Sequence, residues 1–230
     1  MKKYEFVEND TIIENGIELH RIIALVDVSE RVPAGSYGGY IQNESNLSHD
    51  GSCWVTPLAK IYGDAKVTGN ALITGKSSVF GNSTVSGNAK LSGSAAVFEN
   101  AVVMGNTEMT GNSMIFGNAI VDGVARLYDN VKVYGNARIS GVVHLLNNTK
   151  IYGNANVYES VWITDNCEVF DRATVYGESI LKGRTLVHGA AIVTGSIRVI
   201  DSDIFEDGII IDGDRNYVNN AYESRSKLSM

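Results

Sequence analysis

The segment Gly111-Asn-Ser-Met-Ile-Phe-Gly-Asn-Ala-Ile-Val-Asp122 holds two copies of a six-residue pattern: Gly-Asn, a small residue and, two positions later, an aliphatic residue. An apolar residue recurs at every sixth position for 27 positions, without an insertion or a deletion. These anchors are Val55, Ile61, Val67, Ile73, Val79, Val85, Leu91, Val97, Val103, Met109, Ile115, Val121, Leu127, Val133, Ile139, Leu145, Ile151, Val157, Ile163, Val169, Val175, Leu181, Val187, Val193, Val199, Phe205 and Ile211. A fixed short period predicts a repeat architecture, because each unit buries its apolar side chain only against the next unit.

The residue two positions before each anchor is usually Ala, Ser or Thr, as at Ala95 and Ser113. Residues two apart in an extended segment point to the same side, so each hexad should place one bulky and one small side chain inside. A pair such as Gly117-Asn118 lies between them, and these residue types adopt tight-turn conformations at low cost. Where one residue of the pair is replaced, the other usually stays, but four turns keep neither Gly nor Asn: Thr56-Pro57-Leu58, Glu159-Ser160, Asp171-Arg172 and Asp201-Ser202.

Three hexads would form one triangular coil of 18 residues, and the segment 55–216 would form about nine coils. Stacked coils would pair as parallel strands ~4.8 Å apart, giving a rod about 40 Å long. The pattern aliphatic-x-Gly-Asn-small-x resembles that of the hexapeptide-repeat family, whose fold is a left-handed parallel β-helix. The resemblance, and not the period, implies the left-handedness. A β-sandwich is disfavoured because its loops vary in length.

Composition limits the classes of function. The net charge of −7 and the pI of about 5.1 disfavour nucleic-acid binding. Of the two cysteines, Cys53 and Cys167, the latter occupies an inward slot and is expected to be a buried, reduced thiol. The charged N-terminus does not resemble a signal peptide, and no apolar run has membrane-spanning length. We therefore expect no membrane association and a cytoplasmic location, in a bacterium or an infected bacterial cell.

The two ends of the chain depart from the period. Residues 1–54 are expected to form a β cap, since the open end of a solenoid exposes core and backbone groups. Within the cap, Lys3–Glu8 and Glu18–Val28 are typical of strands, and Asn15-Gly16 suits a hairpin turn. The last coils are acidic, and residues 217–230 are expected to form a polar C-terminal tail.

Five short segments of the cap carry a narrower resemblance: Arg21-Ile-Ile-Ala-Leu-Val-Asp27, Val32-Pro-Ala-Gly35, Gly38-Gly-Tyr-Ile41, Asn46-Leu-Ser48 and Gly51-Ser-Cys-Trp-Val55. Together they resemble the N-terminal segment of bacterial YdcK-like proteins, which are hexapeptide-repeat proteins classed as acyltransferases. Related sequences also occur in phage genomes. If the family's activity carried over, acetyl-CoA or another acyl-CoA would be the cofactor.

One outward-facing column of the predicted rod is aromatic. The residue after each anchor should point outward, and every third hexad places a ring there. This column is Tyr62, Phe80, Phe98, Phe116, Tyr134, Tyr152, Phe170 and His188. Its middle is flanked by the apolar residues Ala96 and Met114. An exposed apolar stripe usually marks an interface, so a homo-oligomer, dimer or trimer, is expected. The alternatives are a partner or ligand surface and a stacked ladder that only stabilises the strands.

Lys132, Tyr134, Lys150 and Tyr152 lie together on this face, where they combine flat rings with cations. Such a cluster is a candidate site for an anionic or aromatic small ligand. The alternative is that these are ordinary solvated lysines beside the tyrosines of the ladder.

His144 is the one mid-rod histidine, with Trp162 one coil above it. The family resemblance implies a histidine general base near a subunit junction, and His144 is therefore the candidate catalytic residue. The rod has none of the loop insertions that many catalytic members use to build the acceptor pocket. The scattered histidines do not supply three zinc ligands, so no metal site is expected. The sequence has no nucleotide-binding loop and no dinucleotide fingerprint.

These observations favour a non-catalytic oligomeric β-helical rod that acts as a binding or scaffold protein through its aromatic face. A phage-encoded version could block or sequester a host factor. The alternative is an acyl-CoA-dependent acyltransferase that uses His144.

Overall fold

The computed structural model describes residues 1–200, 204–211 and 216–218. Within these ranges the chain is an all-β solenoid of about nine turns of ~18 residues, preceded by antiparallel strands. Nearly every hexad contributes one two-residue strand that pairs in parallel with the strand 18 residues later, as Ala96 does with Met114. The prediction of a parallel β-helix is confirmed, and its handedness stays a prediction.

The described strands form three sheets, one for each face of the prism. The aromatic face comprises Tyr4–Glu14 (β1), Ile17–Ala24 (β2), Tyr37–Ile41 (β3), Lys60–Ile61, Ser78–Val79, Ala96–Val97, Met114–Ile115, Lys132–Val133, Lys150–Ile151, Glu168–Val169, Leu186–His188 and Ile204–Glu206. The second face comprises Trp54–Val55, Leu72–Ile73, Lys90–Leu91, Glu108–Met109, Arg126–Leu127, Val142–Leu145, Ser160–Ile163, Ile180–Lys182, Arg198–Ile200 and Asn216–Val218. The third face comprises Lys66–Val67, Thr84–Val85, Val102–Val103, Ile120–Val121, Arg138–Ile139, Asn156–Val157, Thr174–Val175, Ile192–Thr194 and Ile209–Ile211.

The core runs along the axis of the rod and has the composition that the hexad predicts. Every anchor from Val55 to Val199 is buried, and so are the small residues two positions before the anchors. Phe205 is partly buried, while the side chain of Ile211 lies outside the described part of the chain. Cys167 occupies one of the inward slots as a free thiol, and burial raises its pKa to about 11. A buried, reduced thiol at this position is therefore confirmed.

The structure shows how three of the four exceptional turns are formed. Glu159 and Asp171 adopt left-handed backbone conformations, with φ of 67° and 56°. Each carboxylate accepts a hydrogen bond from the backbone N–H of the residue one coil above, at 3.0 Å from Gly177 and 3.1 Å from Gly189. The side chain thus satisfies a backbone donor. At Thr56 the turn closes through its carbonyl, which accepts from the N–H of Ala59 at 2.9 Å. The fourth turn, at Asp201, lies outside the described residues.

Asparagines at the second turn position form hydrogen-bonded ladders along the corners of the prism. Along one corner each side-chain amide donates to the side-chain oxygen one coil above, at 3.0–3.2 Å. The members of this ladder are Asn82, Asn100, Asn118, Asn136 and Asn154. The Asn half of the repeat therefore links coils as well as forming turns.

The N-terminal strands continue the aromatic face beyond the first coil. β1 and β2 form an antiparallel hairpin through Asn15-Gly16, and β3 pairs with β2 on one side and with Lys60–Ile61 on the other. Both β1 and β2 were predicted, although β1 extends to Glu14 and β2 ends at Ala24, before the predicted end at Val28. A short 3-10 helix, Glu44–Asn46, follows β3. No helix within the described ranges is long and apolar enough to cross a membrane.

The C-terminal prediction is only partly covered. Asn216–Val218 pairs in parallel with Arg198–Ile200, so solenoid pairing reaches two residues into the segment assigned to the tail. The rest of the proposed tail, 219–230, lies outside the described residues, as do the acidic residues Asp201, Asp203, Asp212 and Asp214.

Candidate functional site

The aromatic column forms one continuous stack of rings. Successive centroids lie 4.8–5.0 Å apart, and the ring planes deviate by only 1–10°. The stack runs through Tyr62, Phe80, Phe98, Phe116, Tyr134, Tyr152, Phe170 and His188. The regular register of parallel coils produces this arrangement, because residues 18 apart share a position on the same face.

The stacked rings are less exposed than the sequence suggests. Tyr62 is only 6% exposed, and the rings from Phe80 to Phe170 are half-buried. Each ring covers the faces of its neighbours, so that mainly ring edges remain for contact with solvent or another molecule. The prediction that the aromatic column is an openly exposed stripe is therefore wrong in degree: its rings are buried or half-buried. Ala96 and Met114 border the middle of the stack and are also half-buried.

The basic and aromatic cluster on this face is internally paired. The Nζ atom of Lys150 donates to Glu168 at 2.7 Å, and the Tyr152 hydroxyl donates to the other carboxylate oxygen at 3.0 Å. The hydrogen bond from Lys150 to Glu168 raises the pKa of Lys150. The pKa of Tyr152 is also raised, chiefly by burial. Lys132 is exposed one coil below. Glu168 therefore engages two of the four groups that were expected to hold an anionic or aromatic ligand.

His144 and Trp162 form a second ring stack, on the second face. Their centroids are 4.5 Å apart and their planes differ by 3°. His144 Nε2 lies 3.2 Å from Nη1 of Arg126. Since arginine can only donate, Nε2 accepts, and in the neutral ring the proton resides on Nδ1. Burial and the charge of Arg126 lower the pKa of His144.

A groove runs along the rod beside this stack and has a volume of about 750 Å³. Trp162 and Val142 are 44% and 45% exposed there. The groove crosses successive coils, so residues 18 apart line the same wall. Its lining includes Val142, His144, Trp162, Glu178, Ile180 and Arg198. Sequence reasoning found His144 and Trp162 but missed the other four. Two of these, Ile180 and Arg198, follow His144 and Trp162 at the 18-residue spacing, so the period could have indicated them.

A second, more polar depression of about 620 Å³ follows the corner between the second and aromatic faces. Asn147 donates there to Asp165 at 2.9 Å, and Asp165 also accepts from the N–H of Gly183 at 3.1 Å. Within the part of the chain that the structure describes, no group of three or more His, Cys, Asp or Glu residues could hold a metal ion.

The comparisons with known proteins leave the family open. No protein-family model matches the sequence, and no curated protein matches it. The described residues form a parallel β-solenoid, while the likeness to YdcK-like proteins rests on the sequence motifs alone.

Proposed function

We propose that this protein is a non-catalytic rod that self-associates through its aromatic face and binds another macromolecule or a small ligand. The observation that carries the proposal is the unbroken ring stack, which holds a row of ring edges rigidly along one side of the rod. Ala96 and Met114 extend this row sideways with apolar groups. A flat, rigid and apolar strip loses little conformational entropy when a matching surface covers it.

A second copy of the same chain is the occupant that this strip fits best. The repeat gives every copy the same ~4.8 Å spacing, so the ring edges of one rod match the gaps of another along their length. Closed symmetric assemblies are the usual result of such self-complementary surfaces. A dimer or a trimer would satisfy this requirement.

The proposed cellular location rests on the sequence resemblance to YdcK-like proteins. YdcK-like sequences are bacterial and related ones are phage-encoded, which supports a cytoplasmic role in a bacterium or an infected cell. In a phage, the free faces of the assembled rod could block or sequester a host factor.

The test is native mass spectrometry of the purified protein and of Ala96→Glu. A carboxylate beside the ring edges would be buried without a partner in the assembly, and we expect the oligomer to dissociate to monomers. Thr84→Glu is the matched control, since Thr84 occupies the same half-buried hexad position on the third face. An oligomer that survives Ala96→Glu, or a monomeric wild type, would refute self-association through this face.

An acyl-CoA-dependent acyltransferase is the second candidate, favoured by the location of His144 in the 750 Å³ groove. The Arg126 contact weighs against it, because Nε2 already accepts a hydrogen bond and the neighbouring cation disfavours proton uptake. Native mass spectrometry with added acetyl-CoA tests this reading. One bound acetyl-CoA per subunit, together with turnover that His144→Ala abolishes, would establish the enzyme.

A further inference from the structure

The groove on the second face contains an interrupted ring ladder. Paired strands place Arg126, His144, Trp162, Ile180 and Arg198 in one column. The first three stack or bond to one another, with His144 and Trp162 only 4.5 Å apart. At the next coil the ring position is taken by Ile180, whose branched chain is smaller than an indole. Trp162 accordingly keeps 44% of its surface exposed.

The interruption has the size of one flat ring. Trp162 and Arg198 are two coils apart, which corresponds to about 9.6 Å along the rod. A planar ring lying outside Ile180 would have the indole about 4.8 Å below it and the guanidinium group at a similar distance above it. The aromatic face of this protein uses the same spacing, 4.8–5.0 Å, for its own stacked rings. Arginine stacks favourably on aromatic faces, so both walls suit such a ring.

Glu178 determines which hydrogen-bonding groups the edge of the bound ring should carry. It lies two residues before Ile180, in the turn that leads into the strand Ile180–Lys182, and it lines the same groove as Ile180. Its carboxylate is exposed, and its one described contact, with the Ser196 hydroxyl, is at the 3.5 Å limit for a hydrogen bond. The carboxylate oxygens are thus open to a pair of adjacent N–H donors, the bidentate geometry in which carboxylates bind strongly.

We propose that this groove binds a purine base of the guanine type, stacked between Trp162 and Arg198. The two neighbouring N–H groups on the edge of guanine donate to the carboxylate of Glu178. Adenine has the same ring size, but it has a ring-nitrogen acceptor where guanine has a donor, and that acceptor would face the carboxylate. The site lies on the second face and does not depend on self-association through the aromatic face.

Isothermal titration calorimetry of the intact protein with guanosine monophosphate, and with adenosine monophosphate as the matched ligand, tests the proposal. Both ligands carry the same sugar and phosphate, so a general attraction of phosphate to Arg198 cancels. We expect guanosine monophosphate to bind at least about tenfold more tightly, the discrimination of one good bidentate contact. Equal affinities, or no detectable binding of guanosine monophosphate, would overturn the proposal.

Ile180→Phe is the decisive variant. The new ring would complete the ladder of the protein itself and fill the space for the ligand, so binding of guanosine monophosphate should be lost while the fold is retained. Ile120→Phe, at the same half-buried hexad position on the third face, should bind like the wild type. Undiminished binding by Ile180→Phe would show that the ligand lies elsewhere. Glu178→Gln should reduce the preference for guanine over adenine, and an unchanged preference would contradict the role of the carboxylate.

Discussion

At the residue scale, the turn positions show how a local cost is offset by a contact one coil away. Among the acidic residues with left-handed backbone conformations, four with φ between 56° and 67° accept a hydrogen bond from the next coil. At such φ a side chain costs about 1–2 kcal/mol relative to glycine. Each carboxylate accepts from a glycine N–H 18 residues later, at 2.8–3.1 Å. These residues are Glu99, Glu159, Asp165 and Asp171. Their carboxylates compensate for the strained backbone.

Glu99 offers a test of this compensation. Glu99→Ala keeps the left-handed backbone and loses the bond to Gly117, so we expect the free energy of unfolding to fall by about 1 kcal/mol. Glu99→Gly loses the same bond but relieves the backbone, and it should remain within about 1 kcal/mol of the wild type. Urea-induced unfolding of both variants measures the difference.

Asp64→Ala is the control, since Asp64 is an exposed carboxylate at the second turn position of the same corner. It should unfold like the wild type. If Glu99→Gly proved less stable than Glu99→Ala, the left-handed backbone conformation would not be the main cause of the difference in the free energy of unfolding.

At the element scale, two-residue strands are short, and side-chain ladders supplement their few backbone hydrogen bonds. Phe116 stacks on both neighbours, at 4.8 Å from Phe98 and 4.8 Å from Tyr134. Tyr158 and Tyr176 form a separate stack on the third face, at 4.8 Å and 10°. Aromatic pairs contribute about 0.5–1.5 kcal/mol each beyond the area that they bury. The long stack on the aromatic face should therefore be the more stabilising of the two.

Comparison of Phe116→Leu with Tyr176→Leu tests this at the level of single rings. Phe116→Leu removes two stacking contacts and should lower the free energy of unfolding by roughly 1–3 kcal/mol. Tyr176→Leu removes the one stacking contact that the structure shows for it and should cost about half as much. Equal losses in chemical denaturation would mean that apolar burial, and not stacking, is the main contribution of the rings.

At the scale of the whole molecule, each coil contacts chiefly the coils above and below it. The stability of a coil therefore depends mainly on its interfaces with these two neighbours. The N-terminal strands extend one sheet beyond the first coil. The Tyr4 hydroxyl donates to the Leu47 carbonyl at 2.7 Å, and its ring packs edge-on against the buried Trp54. Tyr4 is itself fully buried, although it lies near the start of the chain.

Tyr4→Ala should consequently loosen only the N-terminal end. We expect faster amide hydrogen exchange in the first coils, around Val55 to Val85, with unchanged protection near Val121, because local opening in a solenoid decays with distance. Tyr37→Ala, at a half-exposed residue of the cap, is the control and should leave the whole profile unchanged. A uniform loss of protection would show that the rod unfolds as one cooperative unit.

The sequence by itself determined the solenoid, the coil length, the inward anchors, the outward aromatic column and the stacking partner of His144. Each of these follows from a strict period combined with strand alternation, which are local properties of the chain. Only the tertiary structure decided that the rings are half-buried, that Glu168 engages Lys150, that Arg126 donates to His144 Nε2, and that Trp162 borders a groove. These depend on side-chain conformations and on atoms one coil away, and the period states only which residues are neighbours, not which of their atoms meet.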